Sequence, residues 1–228
     1  MGKTPTSVID GLIVRPSGPW IRKKYFFLER YADIFTRGMK RQWDLTYIDL
    51  FAGPGRCRID LMNEETDGSP LIALNYDFSR YIFIEKDEKS YDALKKRCAD
   101  SPKRSRTQFI PGDCNSVIQK VDPTGLSLAF IDPTGIDIHF DTIKTLTKNR
   151  RVDLLMTIQL GMDIKRNFGA YVKTGQGSQL DLFLGGGVDW QHLKTPRDVV
   201  TLYKSKVREL GYSTVESKDI EVRNIKRR

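Results

Sequence analysis

The stretch "YIDLFAGPG", residues 47–55, decides how this chain is read. An apolar run meets an acid, Asp49, and then a tight turn, Gly53-Pro54-Gly55. Apolar residues at successive rather than alternating positions mark a strand buried on both faces, as in a parallel sheet. Glycines at its end remove side chains where the backbone bends sharply or where a ligand approaches it closely. The turn alone does not separate those two uses.

The same pattern repeats downstream. "RYIFIEKD" (80–87), "TQFIPGD" (107–113), "LSLAFIDPTG" (126–135) and "RVDLLMTIQ" (151–159) read as strands. Between them, "EKSYDALKKRCA" (88–99) is an amphipathic helix with Tyr91, Leu94 and Cys98 inward, "CNSVIQKV" (114–121) a short helix, and "FDTIKTLTKN" (140–149) another. Before the first strand, Trp20, Phe27, Tyr31, Ile34 and Phe35 fall at helical spacings, with Gly38 as the expected stop. Ser69 and Pro70 mark a helix start, and 56–68 reads as a polar loop or insertion. Strands alternating with helices predict an α/β fold, a mostly parallel sheet with helices on both faces.

Open sheets of this kind bind ligands at the carboxyl ends of their strands. The first strand ends in Asp49 and Phe51-Ala52-Gly53-Pro54-Gly55, the second in Glu85-Lys86-Asp87. The third ends in Gly112-Asp113-Cys114-Asn115 and the fourth in Asp132-Pro133-Thr134-Gly135. Any one of these acids is more often a helix cap than a ligand contact. Four in succession form a constellation: Glu85 for two ribose hydroxyls, Asp113 for an adenine amino group, Asp132 beside a reacting group. A dinucleotide loop wants a third glycine, but Arg56-Cys57-Arg58 follows Gly55. Thirty residues, against roughly 20 in the dinucleotide fingerprint, separate Gly55 from Glu85. An adenosyl ligand without phosphates fits better than a nicotinamide dinucleotide, which stays as a weaker alternative.

"DLFAGPG", "FIEKD", "GDCN" and "IDPTG" resemble motifs I to IV of class I S-adenosylmethionine-dependent methyltransferases. More narrowly, "GPWIRKKYFFLERYADIF", "YIDLFAGPGR", "GSPLIAL" and "LAFIDPTG" are similar to the bacterial three-Cys-motif partner proteins, over roughly residues 18–160. The resemblance implies a Rossmann-like methyltransferase fold and an enzyme that uses S-adenosylmethionine. It implies that Asp49, Phe51, Ala52, Gly53, Pro54 and Gly55 hold the methionine end of the cofactor. Glu85 with Lys86 would hold the ribose, and Asp113 with Cys114 the adenine. Asp132 and Pro133 would be catalytic, and Trp20 and Lys24 would close over the cofactor or serve as a core anchor and a solvated charge.

The expected substrate is nucleic acid, because 38 Lys and Arg against 29 Asp and Glu leave a net charge of +9. Arg166, Phe168 and Tyr171, beyond the fifth strand, are the candidate substrate contacts. The alternative is a non-catalytic partner subunit of a mobile-element or defence-type complex, bound to a protein that carries the three-cysteine motif. "DPTG" motivates it: amine-methylating nucleic-acid enzymes carry Asp/Asn-Pro-Pro and an aromatic there, whereas Thr134-Gly135-Ile136 follows Pro133.

The chain divides into an arm (1–17), a cofactor-binding core (18–160), and an excursion with a C-terminal helix and strand (161–228). The arm is expected to be loose, and the excursion to hold one short helix before a helix over 196–211 with Val200, Tyr203, Val207 and Leu210 inward. The segment 219–225 is a candidate sixth strand, so the antiparallel strand pair that ends such folds is expected to be incomplete. Cys57, Cys98, Cys114, His139 and His192 have no metal-ligand spacing. No apolar run reaches the roughly 18 residues of a membrane span, and a cytoplasmic protein is expected.

Overall fold

A computed structural model describes residues 5–59 and 64–218. In chain order its elements are β1 (Arg15–Ser17), α1 (Ile21–Met39), β2 (Leu45–Asp49), β3 (Arg56–Ile59) and β4 (Glu64–Asp67). Next come α2 (Ser69–Ala73), β5 (Arg80–Glu85), α3 (Glu88–Arg97), β6 (Thr107–Pro111), α4 (Cys114–Val117) and β7 (Leu126–Ile131). The last are α5 (Phe140–Thr147), β8 (Arg151–Met156), a π-helical turn (Leu160–Ile164), α6 (Lys165–Thr174), α7 (Gln179–Leu184) and α8 (Pro196–Glu209).

Five strands form one parallel sheet in the order β6-β5-β2-β7-β8. All five residues of β2 are buried, as its unbroken apolar pattern requires. Chain order runs outward from β2 through β5 to β6, then returns past β2 to β7 and β8. This reversal puts the switch point of the sheet between β2 and β7, where open sheets leave a crevice. Two apolar clusters cover the faces. Leu45, Tyr47, Tyr81, Phe83 and Leu128 pack with Leu28, Phe35 and Leu94 on one side. Ile48, Ile82, Ile84, Ala129 and Ile131 pack with Ile143, Phe183 and Tyr203 on the other.

The buried stripe of α1 is Ile21, Lys24, Tyr25, Leu28, Ala32, Phe35 and Thr36. Of the expected stripe, Phe35 is buried, Tyr31 is exposed and Ile34 is 71% exposed. The helix runs past Gly38 to Met39. Helical spacing alone fits two faces of a helix carrying this many aromatics, and a lysine in the buried stripe hides the true one. In α8 the buried residues are Val199, Tyr203 and Val207, and Gly211 follows its end with φ +99°. Ser69 is the first residue of α2 rather than its cap, which is Gly68.

Three further expectations change. Residues 5–17 are tied down rather than loose. Ser7 Oγ donates to Glu65 at 2.5 Å, and β1 pairs in parallel with β3. The segment from Arg56 is a hairpin, β3 pairing antiparallel with β4. A small sheet β1-β3-β4 therefore stands beside the glycine turn. The excursion holds a π-helical turn and two helices where one short helix was expected. The candidate strand 219–225 lies outside the described residues.

Candidate functional site

The carboxyl ends of β2, β5, β6 and β7 open onto one cavity of about 400 Å³. It is lined by Phe51, Gly53 and Pro54 after β2, by Glu85 and Lys86 after β5, by Asp113 and Cys114 after β6, and by Asp132 and Thr134 after β7. A further wall comes from the arm: Ile13, Val14, Arg15 and Pro16.

The two turn glycines do different work. Gly53 has φ +64°, and no atom lies within 4 Å of where a Cβ would stand. Its bare backbone faces the cavity. Gly55 has φ +86°, and a Cβ there would lie 2.9 Å from Leu94 Cδ1. It lets α3 pack against the turn and does not line the cavity. Ala52 is buried and Pro133 is buried, and neither lines the cavity.

Asp49 lies beneath the turn with 0% exposure and does not line the cavity. It accepts from the Phe51 N–H at 3.2 Å and the Tyr47 hydroxyl at 3.3 Å. Burial pushes its carboxyl up to about 7, against hydrogen bonds from Ser69 and the Phe51 backbone that favour the ionised form. Asp49 thus shapes the turn from behind.

Glu85 brackets two turns at once. Its Oε2 accepts from the Gly53 N–H at 2.7 Å and its Oε1 from the Asp87 N–H at 2.8 Å. Each carboxylate oxygen has further lone pairs for hydroxyl donors. Asp113 caps α4, accepting from the Asn115 N–H at 2.9 Å, and also lines the cavity. Burial pushes the Cys114 thiol up to about 12. It stays protonated at neutral pH and is no nucleophile. Cys98 is pushed up to about 12 in the same way. Among the described residues no group of three His, Cys, Asp or Glu side chains is placed to hold a metal ion.

Asp132 is 3% exposed. Lys24 Nζ donates to its Oδ1 at 2.6 Å, across a buried ion pair. Lys24 is therefore not a solvated charge. Trp20 precedes α1 and its ring lies over Gly18. The loop after Asp132 is pinned from the far side. Gln159 Nε2 donates to the Pro133 carbonyl at 2.8 Å, and Asp163 Oδ2 accepts from the Ile136 N–H at 3.0 Å. A Cβ on Gly135 would lie 2.5 Å from the same Asp163 oxygen.

Two cations were missed in the sequence. Arg15 lines the cavity; burial lowers its affinity for a proton, but neighbouring charges, Asp132 foremost and Glu85 among them, outweigh that and raise it. Arg97 is 3% exposed and joins the arm to the turn, pairing with Asp10 at 2.8 Å and donating to the Ile13 and Pro54 carbonyls at 2.8 and 2.6 Å. It holds the Asp10 carboxyl down to about 2. The apolar run Leu12-Ile13-Val14 was the local hint of a strand here; nothing local pointed to Arg97, one basic residue in a run of three.

The three candidate substrate residues stand apart from the cavity wall. Arg166 is exposed on α6. Phe168 and Tyr171 pack partly against the core, and the Tyr171 hydroxyl donates to Asp163 at 2.7 Å. The tyrosine thereby helps to hold the residue that pins the loop after Asp132.

No protein-family model and no curated protein matches the chain. Solved structures resemble it at low identity. The O-methyltransferase TomG from Streptomyces achromogenes, in complex with S-adenosylmethionine, is 14% identical, with 82% of this chain and 68% of that one aligned and a TM-score of 0.45. The plantazolicin methyltransferase BamL, in complex with S-adenosylhomocysteine, is 13% identical over 82% and 62%, with a TM-score of 0.47. A conserved hypothetical protein of Streptococcus pyogenes is 19% identical over 57% and 77%, with a TM-score of 0.42. At these values no residue's role transfers; the roles below come from the geometry of this chain.

Proposed function

We propose that the chain binds S-adenosylmethionine and transfers its methyl group to nucleic acid. One observation carries the reading. Four strands successive in the sheet's wiring, β2, β5, β6 and β7, deliver Gly53, Glu85, Asp113 and Asp132 in chain order to one cavity at the switch point. The lining suits this group: two carboxylates for its hydroxyls and amine, a bare glycine backbone, an apolar wall, and one half-buried cation for a carboxylate.

Bound there, S-adenosylmethionine would supply an electrophilic methyl group on a sulfonium sulfur. Glu85 would accept from the ribose hydroxyls while continuing to hold the Gly53 turn. Asp113 would accept from the adenine amino group, against Phe51 and Cys114. Arg15 would pair with the amino-acid carboxylate. Asp132 would orient the acceptor, and placing it in line with the methyl group would supply most of the rate. Asp49 and Arg97 would act indirectly, by keeping the turn and the arm in place.

Nucleic acid is favoured by the +9 net charge and by exposed Lys86 and Lys89 at the cavity wall. The test has two stages. Calorimetry should show binding of S-adenosylmethionine and S-adenosylhomocysteine but not of NAD. Methyl-labelled cofactor should then transfer label to total RNA or to genomic DNA. Absence of binding would reject the cofactor; binding with no label in either polymer would reject the acceptor class.

A further inference from the structure

Resting on that reading, we infer that the methylated atom is a ribose 2′-hydroxyl oxygen of RNA rather than a base nitrogen. The argument concerns the charge around Asp132. An exocyclic amine needs acceptors for its two hydrogens, and it gains positive charge as the methyl group arrives. Here two acceptors on this loop are already partly engaged, and of Asp132 only Oδ2 is left, which can take the single proton of a hydroxyl but only one of an amine's two divergent hydrogens. Asp132 Oδ1 holds the Lys24 ammonium at 2.6 Å, and the Pro133 carbonyl holds Gln159 Nε2 at 2.8 Å. Lys24 and the Arg15 guanidinium both bring positive charge to Asp132. Asp132, neutralised in this way, offers little to a nitrogen that is turning cationic, while its free Oδ2 can take the one proton that an oxygen nucleophile gives up.

The surface offers no clamp for an extruded base either. Phe51 is the only aromatic side chain among the described lining residues, and the reading places it against the cofactor. The position after Thr134-Gly135 is Ile136, which is buried, and Asp163 pins its backbone. A backbone hydroxyl needs no extruded base. Lys86 and Lys89, exposed beside the cavity, suit the phosphates that flank a ribose.

The step balances as follows. The hydroxyl proton passes to Asp132 Oδ2, while Lys24 on Oδ1 holds the carboxylate in place. The oxygen lone pair forms the C–O bond as the C–S bond breaks. The sulfonium becomes a neutral thioether, and Asp132 releases the proton to water.

The experiment incubates the protein with methyl-labelled S-adenosylmethionine and total bacterial RNA or genomic DNA, then digests the products. The expected label lies in RNA only, in alkali-resistant dinucleotides that yield 2′-O-methylribose, since DNA has no such hydroxyl. Label in a methylated base of either polymer would overturn this inference and leave the proposed function standing. No label in either would overturn both. Lys24→Met should lower transfer about 100-fold while cofactor affinity stays within threefold, and Lys24→Arg should recover part of the rate. Because the product is identified with the unaltered chain, the outcome does not depend on how well the variants fold.

Discussion

Glu85 Oε2 lies 2.7 Å from the Gly53 backbone nitrogen, 32 positions away in the chain, so the end of β5 holds the turn at the end of β2. The residue read as a ribose acceptor is thus also the bracket of the glycine turn. Glu85→Gln keeps the shape but replaces one charged acceptor oxygen by a donor facing a backbone N–H. The variant should lose about 1–2 kcal/mol of stability and bind S-adenosylmethionine at least tenfold more weakly. Calorimetry that gave an affinity within threefold of the unaltered protein would refute the bracket's role in binding.

Arg15 tests the orientation of the cofactor. Arg15→Met keeps the apolar stem and removes the charge. S-adenosylmethionine should bind about 10- to 100-fold more weakly, the scale of a partly buried charged hydrogen bond. Binding of 5′-methylthioadenosine, which has no carboxylate, should change less than threefold. Equal losses for both ligands would place Arg15 away from the amino-acid end.

The Asp49 carboxyl is raised to about 7 by burial, and this has a signed consequence. Between about pH 4 and pH 7 the folded state keeps a proton that the unfolded state has released. Stability therefore falls as pH rises through that window and levels off above it. The loss from this group is at most about 4 kcal/mol, from 1.36 kcal/mol per pH unit. Asp49→Asn has no proton to lose, so the difference in stability between the two proteins should change by that route between pH 5 and pH 8. Denaturant melts at several pH values read it; a constant difference would sink the assignment.

Arg97 predicts a coupling between arm and site. Arg97→Met removes the bonds to Asp10 and to the Ile13 and Pro54 carbonyls. Amide exchange over residues 5–17 should accelerate, while exchange in β2 and β7 stays slow. Cofactor affinity should fall with it, because the arm forms one wall of the cavity. Unchanged exchange in the arm would show that β1 pairing alone holds it.

Much of the sheet was legible along the chain because its signals are local. β2, β5, β6, β7 and β8 are largely apolar runs, the first four ending in acids or glycines, and backbone pairing in a buried sheet demands such runs. Asp87 and Asp113 cap helices just as their positions suggest. The stripe of α1 was not legible, because its buried face includes Lys24, a residue that periodicity counts as polar. Gly53 and Gly55 looked equivalent in the sequence. The structure separates them by their neighbours, open space for one and Leu94 for the other.

By itself, the sequence determined the order along the chain of the five strands of the main sheet and the set of acids at their ends, since each is written within a few residues. Which of those acids face a cavity was decided by tertiary structure. Packing sends Asp49 under its own turn, and folding the arm back brings in Arg15, both of them long-range events. The Lys24–Asp132 pair spans 108 positions and forms only because α1 lies across the sheet. Burial then makes that contact matter, since two charges held 2.6 Å apart out of water set the electrostatics of the site as no exposed pair would.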